Sequence, residues 1–337
     1  MYHAHPLHQG PGFSGLLGRG GRALQIVQHG QQVDGMRRVS VLMNGLTDDP
    51  AQRVNAAAFE QVLRSLGWRP GQNVTLDYRW TQDDSEIART AAAGLVAAKP
   101  DVIFASTTRA LTAARQATRT IPIVFSSVSD PVAQGFVDGL AHPGGNITGI
   151  GLYEFSIGGK WLDLLKQVSP KLARVGLMFN PAGSPQYKFF LASIEAAAPS
   201  LAVEVIALPV QAASDIAPAM ARLDDRPNSG LIVGTDNFIT SNREQVAALA
   251  IAHRLPSIFA SPPLVDAGGL MSYGQDGVES YRGAAMYVNR ILKGAKPADL
   301  PVQLASKFRL RINLKTVEAL GLELPMGLML SADEVIE

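Results

Sequence analysis

Two hydrophobic rhythms alternate along the chain. Short, mainly apolar runs at 39–43 (VSVLM), 102–105 and 123–125 have the length and composition of strands buried on both faces. Between them, apolar residues return every three or four positions. In 50–66, Val54, Ala57, Ala58, Leu63 and Leu66 predict an inward helical face closed by Gly67; in 84–98, Ile87, Ala91, Leu95 and Ala98 do the same behind the cap pair Asp84-Ser85. Residues 73–80 (NVTLDYRW) alternate as a strand should. The succession is β-α-β-α-β-α-β, which the handedness of crossovers turns into a parallel sheet covered on both faces.

The second half repeats the scheme. A helix capped by Ser156 carries Ile157, Trp161, Leu164, Leu165 and Val168, and strands are expected at 175–179, 203–208, 231–233 and 257–260. Ser184-Pro185 reads as a helix start, another helix runs over 241–253, and a long one over 276–293 bears Val278, Tyr281, Ala285, Val288 and Leu292. The stretch 126–152 separates the halves. Its turn formers, Asp130-Pro131 and His142-Pro143-Gly144-Gly145-Asn146, predict a crossing loop there. A helix and strand left over after two complete lobes imply further crossings and a hinge. The expected fold is therefore α/β, two doubly wound parallel-sheet lobes joined by a multi-crossing hinge, with function in the cleft between strand ends.

Composition narrows the chemistry. At 337 residues the chain exceeds the usual size of a single core. A net charge of +1 with scattered Lys and Arg argues against nucleic acid or an anionic membrane as a partner. Cysteine is absent, which excludes disulfides, thiolate metal sites and cysteine nucleophiles. Residues 1–36 contain no uninterrupted apolar core of the kind a secretory signal needs, and are expected to be disordered or a mis-assigned start. Within them, the Gly10–Gly15 stretch matches a dinucleotide fingerprint in letters only, since it precedes the first strand, and His3, His5 and His8 offer incidental metal binding.

The strings AAKPDVIFA, IPIVFSSVSDPV, GFVDGLAHPGGNITGI, AAMYVNRILKGAKPADLPVQ, KFRLRINLKTVEALGL and ADEVIE resemble the ABC-transporter substrate-binding proteins of the tryptophan-binding type. The resemblance runs in order over nearly all of 37–337. It implies a type I periplasmic-binding fold with three crossings, a solute receptor that delivers a small molecule to a membrane permease, and periplasmic residence behind a signal peptide that 1–36 does not supply. The lobes are expected at 37–150 plus about 272–299, and at 151–271 plus about 300–337. A monomer without cofactor, metal or catalytic residue is expected.

Candidate ligand contacts sit at strand ends. In the first lobe these are Asn44, the hydroxyls of Ser106, Thr107 and Thr108 at a helix start, and Ser126, Ser127 and Asp130; free amides and hydroxyls there suit a carboxylate. A helix N-cap and a self-capped turn explain the same residues. In the second lobe they are Asn180, Asp236 and Ser261, with Asp236 set to pair a ligand ammonium or, alternatively, to cap the next helix. Asp236→Ala is expected to cost affinity and little stability. Tyr187 and Tyr273 are candidate apolar walls, although aromatic residues in such places also serve as core. The ligand expected is an amino acid or related small organic acid. The rivals are a racemase- or transferase-like enzyme, which lacks a recognisable nucleophile, metal set or phosphate loop, and a regulator's sensing domain, which lacks a basic helix-turn-helix before Val39.

Overall fold

The computed structural model describes residues 35–337 apart from 83, 225, 276, 305 and 306, so the histidines and glycines singled out before residue 35 lie outside the described residues. The first lobe runs through β1 (Arg37–Met43), α1 (Pro50–Ser65), β2 (Val74–Trp80), α2 (Ser85–Ala97), β3 (Val102–Ala105), α3 (Thr108–Ala117), β4 (Ile123–Val128) and β5 (Ile147–Gly151). The second follows with α4 (Ile157–Val168), β6 (Arg174–Phe179), α5 (Tyr187–Ala197), β7 (Glu204–Pro209), α6 (Ile216–Ala221) and β8 (Ser229–Val233). It continues through α7 (Asn237–Ser241), α8 (Arg243–Ala252), β9 (Ser257–Phe259), α9 (Pro263–Asp266) and β10 (Met271–Gly274). The chain then returns to the first lobe for α10 (Gly277–Leu292) and β11 (Gln303–Leu304). It ends in the second with β12 (Arg309–Asn313), α11 (Leu314–Ala319), α12 (Met326–Ser331) and β13 (Glu334–Ile336).

The first sheet has the order β11-β5-β4-β3-β1-β2 with every pair parallel. The second has the order β13-β12-β10-β9-β8-β6-β7, parallel except where β12 runs against β10. Five strands of each sheet share one winding, in which the chain starts next to the edge, steps outward once and then walks the other way. That winding puts the reversal point between β1 and β3 in one lobe and between β6 and β8 in the other.

Several expectations shift in detail. The stretch 126–152 is no simple crossing loop: 147–151 is the fully buried strand β5, because ITGIG can slot beside β4, and the crossing begins at Leu152. The outward return comes after Gly274 instead of 271, and β11 keeps residues 303–304 in the first sheet, although everything from 300 onward was expected in the second lobe. Helix α1 buries Ala58, Phe59 and Leu63 and leaves Val54 and Leu66 exposed; α2 buries Ala88, Ala92 and Leu95 and exposes Ile87. Ser184-Pro185 forms a turn before α5 instead of its cap. The helix expected over 241–253 is α8, and a separate short helix, α7, precedes it.

The returning helix α10 is bolted to the first lobe. Tyr281 packs its ring edge-on to Phe104 at 5.4 Å, Phe104 stacks on Phe59 at 4.5 Å, and Trp68 Nε1 donates to Asn289 Oδ1 at 3.0 Å. In the neighbouring β4–β5 pair, Gly149 sits opposite Phe125 so tightly that an added Cβ would collide with the Phe125 carbonyl and lie 2.6 Å from its amide nitrogen. Gly149→Ala is therefore expected to destabilise the chain by about 1–3 kcal/mol through overpacking. Thermal unfolding reads this directly, and an unchanged melting temperature would contradict the pairing of Gly149 with Phe125.

Candidate functional site

In doubly wound sheets the loops at the carboxyl ends of the strands flanking the reversal point spread apart and leave a crevice. Here two such crevices face each other. A cleft of about 330 Å³ opens between the lobes, with Ser106 and Thr107 after β3 on one wall and Thr235 and Asp236 after β8 on the other. The first turns of α1 add Gln52, Val54 and Asn55; the hinge adds Leu152, Tyr153, Gln275 and Val278; and the loop after β9 adds Ser261, Pro262 and Pro263.

On the first lobe, Thr107 caps α3, its Oγ1 accepting from Ala110 N at 3.4 Å. The Asn44 amide donates to Ser106 Oγ at 2.9 Å and Thr81 Oγ1 donates to Asn44 Oδ1 at 2.8 Å, so Asn44 ties three strand-end loops together beneath the cleft floor. The β4–β5 register slips between Phe125 and Val128, where β4 holds an extra residue. This bulge keeps Ser126 fully buried, its hydroxyl donating to Ser106 O at 3.4 Å, and turns Ser127, at φ 53°, into the cleft wall. A non-glycine residue held at positive φ costs free energy that the surrounding sheet must supply, and such residues gather where a side chain is re-aimed for a purpose.

On the second lobe, Asp236 caps α7. Its carboxylate accepts from Ile239 N at 3.1 Å and from Asn180 N at 2.7 Å, so one side chain joins the loops after β6 and β8. Burial pushes its pKa up, and the two amides, the Ser184 hydroxyl and the nearby Arg109 guanidinium pull against that rise. Tyr153 hydrogen-bonds Thr235 Oγ1, and Tyr281 meets the hydroxyls of Ser106 and Ser126. Burial pushes both phenols well above their ordinary pKa, so they stay neutral and act as hydrogen-bonding groups at every physiological pH.

Each carboxylate that lines the cleft has an arginine near it. Asp236 has Arg109 behind it, and Asp266 meets Arg311 at 2.8 Å, a guanidinium that it shares with Glu334. Among the described residues no Lys, Arg or His lines the cleft itself.

Of the residues singled out from sequence, Ser106, Thr107, Ser127, Asp236 and Ser261 line the cleft. The others stand behind it. Asn44, Thr108 and Ser126 are buried in the floor. Asp130 is a turn residue at φ 40°, its carboxylate accepting from Ala133 N at 3.0 Å. Asn180 spends its side chain on Gly183 N at 2.8 Å; Tyr187 stacks on Phe179 at 3.8 Å; Tyr273 stacks on Phe308 at 5.5 Å while its carbonyl accepts from Trp161 Nε1 at 2.8 Å. Sequence reasoning passed over Gln52, Asn55, Tyr153, Gln275 and Tyr281 as site residues. The polar pair at 52 and 55, three residues apart in the first turns of α1, was the one local signal among them.

Residues 40–336 match the family model for ABC transporter substrate binding proteins. A tyrosine-binding protein of Clostridioides difficile is 28% identical over 305 residues, covering 90% of this chain and 86% of that protein. A structure from Vibrio cholerae superposes with a TM-score of 0.81 at 27% identity, covering 89% of this chain and 99% of the other. An ABC domain from Streptococcus pneumonia in complex with L-Trp gives 0.79 at 25% identity, covering 90% and 100%. The ligand-free, open structure of a substrate-binding protein with adhesive properties from Clostridium difficile gives 0.65 at 27% identity, covering 89% and 99%. With two matching lobes, three crossings and a family match spanning nearly all the described residues, the chain belongs to the ABC transporter substrate binding protein family.

Proposed function

We propose that this substrate-binding protein captures an aromatic L-amino acid as the zwitterion, holds it unchanged between its lobes, and hands it to an ABC permease from the periplasmic side as a monomer. The observation that carries the reading is that each carboxylate lining the cleft already has an arginine beside it. A bare cation or anion would enter without a partner of its own, whereas a zwitterion or neutral molecule would not.

The two walls suit the two ends of such a ligand. Hydroxyls of Ser106, Thr107 and Ser127 and the amides at the start of α3 favour a carboxylate, and Asp236 opposite them favours an ammonium. Val54, Leu152, Val278, Pro262 and Pro263 supply an apolar surface for a flat side chain. The tyrosine-binding relative and the L-Trp complex support the aromatic class. Conformational closure then follows from differential binding, because only the approached lobes present both ends at once.

A thermal-shift panel tests the class. Tryptophan, tyrosine or phenylalanine is expected to raise the melting temperature in proportion to the logarithm of its concentration above Kd. Lysine, arginine and small dicarboxylates are expected to leave it unchanged. Recovery of a chemically altered compound would replace the receptor with an enzyme.

Asp236 is best probed by Asn instead of Ala, because its carboxylate caps α7 and bridges two loops, so truncation would cost stability after all. Asp236→Asn keeps an N-cap acceptor and removes the charge. Loss of a charge-assisted contact worth about 2 kcal/mol predicts a Kd roughly 30-fold weaker. Calorimetric titration showing equal affinity would remove Asp236 from ligand recognition.

A further inference from the structure

Arg109 is rooted in the first turn of α3 in the first lobe, yet its guanidinium ends in the second. It lies against Gly183, in the loop between β6 and α5, so closely that a Cβ built there would collide with Nη2 and sit 3.5 Å from Cζ. The same Cβ would lie 3.4 Å from Asn180 Oδ1, the atom that accepts from Gly183 N at 2.8 Å. The notch is therefore a tight turn opened by the absence of one side chain, and a cation from the opposite lobe occupies it. Asp236 lies directly beneath, anchored to Asn180 N at 2.7 Å, and feels the Arg109 charge.

Neither Arg109 nor Gly183 lines the ligand cleft. Arg109 is nonetheless only 9% exposed, which for an arginine at the meeting of two lobes means that separating them would return it to water. A contact that exists only when the lobes are together biases the open–closed equilibrium by its own free energy, with or without ligand.

We propose that Arg109 and the Gly183 notch form an interlobe latch: a positioning pair that sets the closed-state population and, through it, the lifetime of the bound ligand. The latch rests on the receptor reading above for its use, but not for its existence. It acts on closure through Asp236 and the Asn180 loop, so it tunes release without touching the bound molecule.

Gly183→Ala is the sharpest probe. Its backbone is one that alanine adopts, it keeps the Arg109 charge and every cleft-lining group, and it fills the notch. Arg109→Ala removes the other half. The chain has no cysteine, so Thr120→Cys and Glu195→Cys, both at exposed positions on opposite lobes, accept a dye pair cleanly. Single-molecule energy transfer on the full chain without ligand is expected to show a shift to the open, low-transfer population in both latch variants. With L-tryptophan as the probe, stopped-flow mixing is expected to show dissociation about tenfold faster, with association nearly unchanged.

Melting temperatures are recorded alongside, and Arg109→Lys, which keeps the charge but not the fork, is expected to fall between wild type and Arg109→Ala. Identical lobe-distance distributions in wild type, Gly183→Ala and Arg109→Ala would overturn the latch whatever the ligand. Opening in both variants, combined with no response of any of the proteins to aromatic amino acids, would uphold the latch and refute the ligand class instead.

Discussion

One aromatic from each of the three passages between the lobes meets the others at a single point. Tyr153 follows the first crossing, Tyr273 precedes the second and Phe308 follows the third; Phe308 lies 5.9 Å from Tyr153 and stacks on Tyr273 at 5.5 Å, with Trp161 set edge-on to Tyr153 at 5.9 Å. Three separate connections could otherwise twist and slide independently. Packed ring against ring at the core of the second lobe, they tie all three connections to one place on it, and the cleft wall is built from that place. Tyr153 carries the constraint straight into the cleft through its hydroxyl on Thr235.

The division of labour between backbone and side chains follows from the winding. Because each sheet reverses beside its first strand, the floor of the cleft is built from loop-to-loop hydrogen bonds, with Asn44 doing this in one lobe and Asp236 in the other. These two residues occupy related places, Asn44 after the first strand of its lobe and Asp236 after the third of its own. Only Asp236 also reaches the cleft wall. The first lobe thus presents neutral hydroxyls and the second an acid, and in the proposed complex that asymmetry orients the ligand.

Most strands were legible because runs such as VSVLM and IVF are buried on both faces, where hydrophobicity alone decides. Strand β5 was not, since ITGIG directly follows the turn formers at 142–146 and carries two glycines of low strand preference, one of which fits the space beside Phe125. The faces of α1 and α2 were read correctly at Ala58, Leu63 and Leu95 and missed at Val54 and Ile87, apolar residues bordering the cleft or solvent that periodicity cannot tell from core. In the site, strand-end hydroxyls at 107 and 127 could be found from their position. Whether a strand-end residue points into the floor or the wall turns on features without local signature, such as the bulge that separates Ser126 from Ser127. Tyr281 was read as the inward face of its helix, and it is core, as is Tyr153; both also line the cleft.

The pairing of Asp236 with Arg109 and of Asp266 with Arg311 reaches beyond recognition. A cleft whose two acids each have an arginine beside them would attract a zwitterion mainly by short-range hydrogen bonds and dipoles, with little long-range field to steer it or to be screened. Capture should then proceed at nearly the same rate in dilute and in concentrated salt. A receptor of this design would keep its grip through swings in external ionic strength that would loosen one relying on a bare charge.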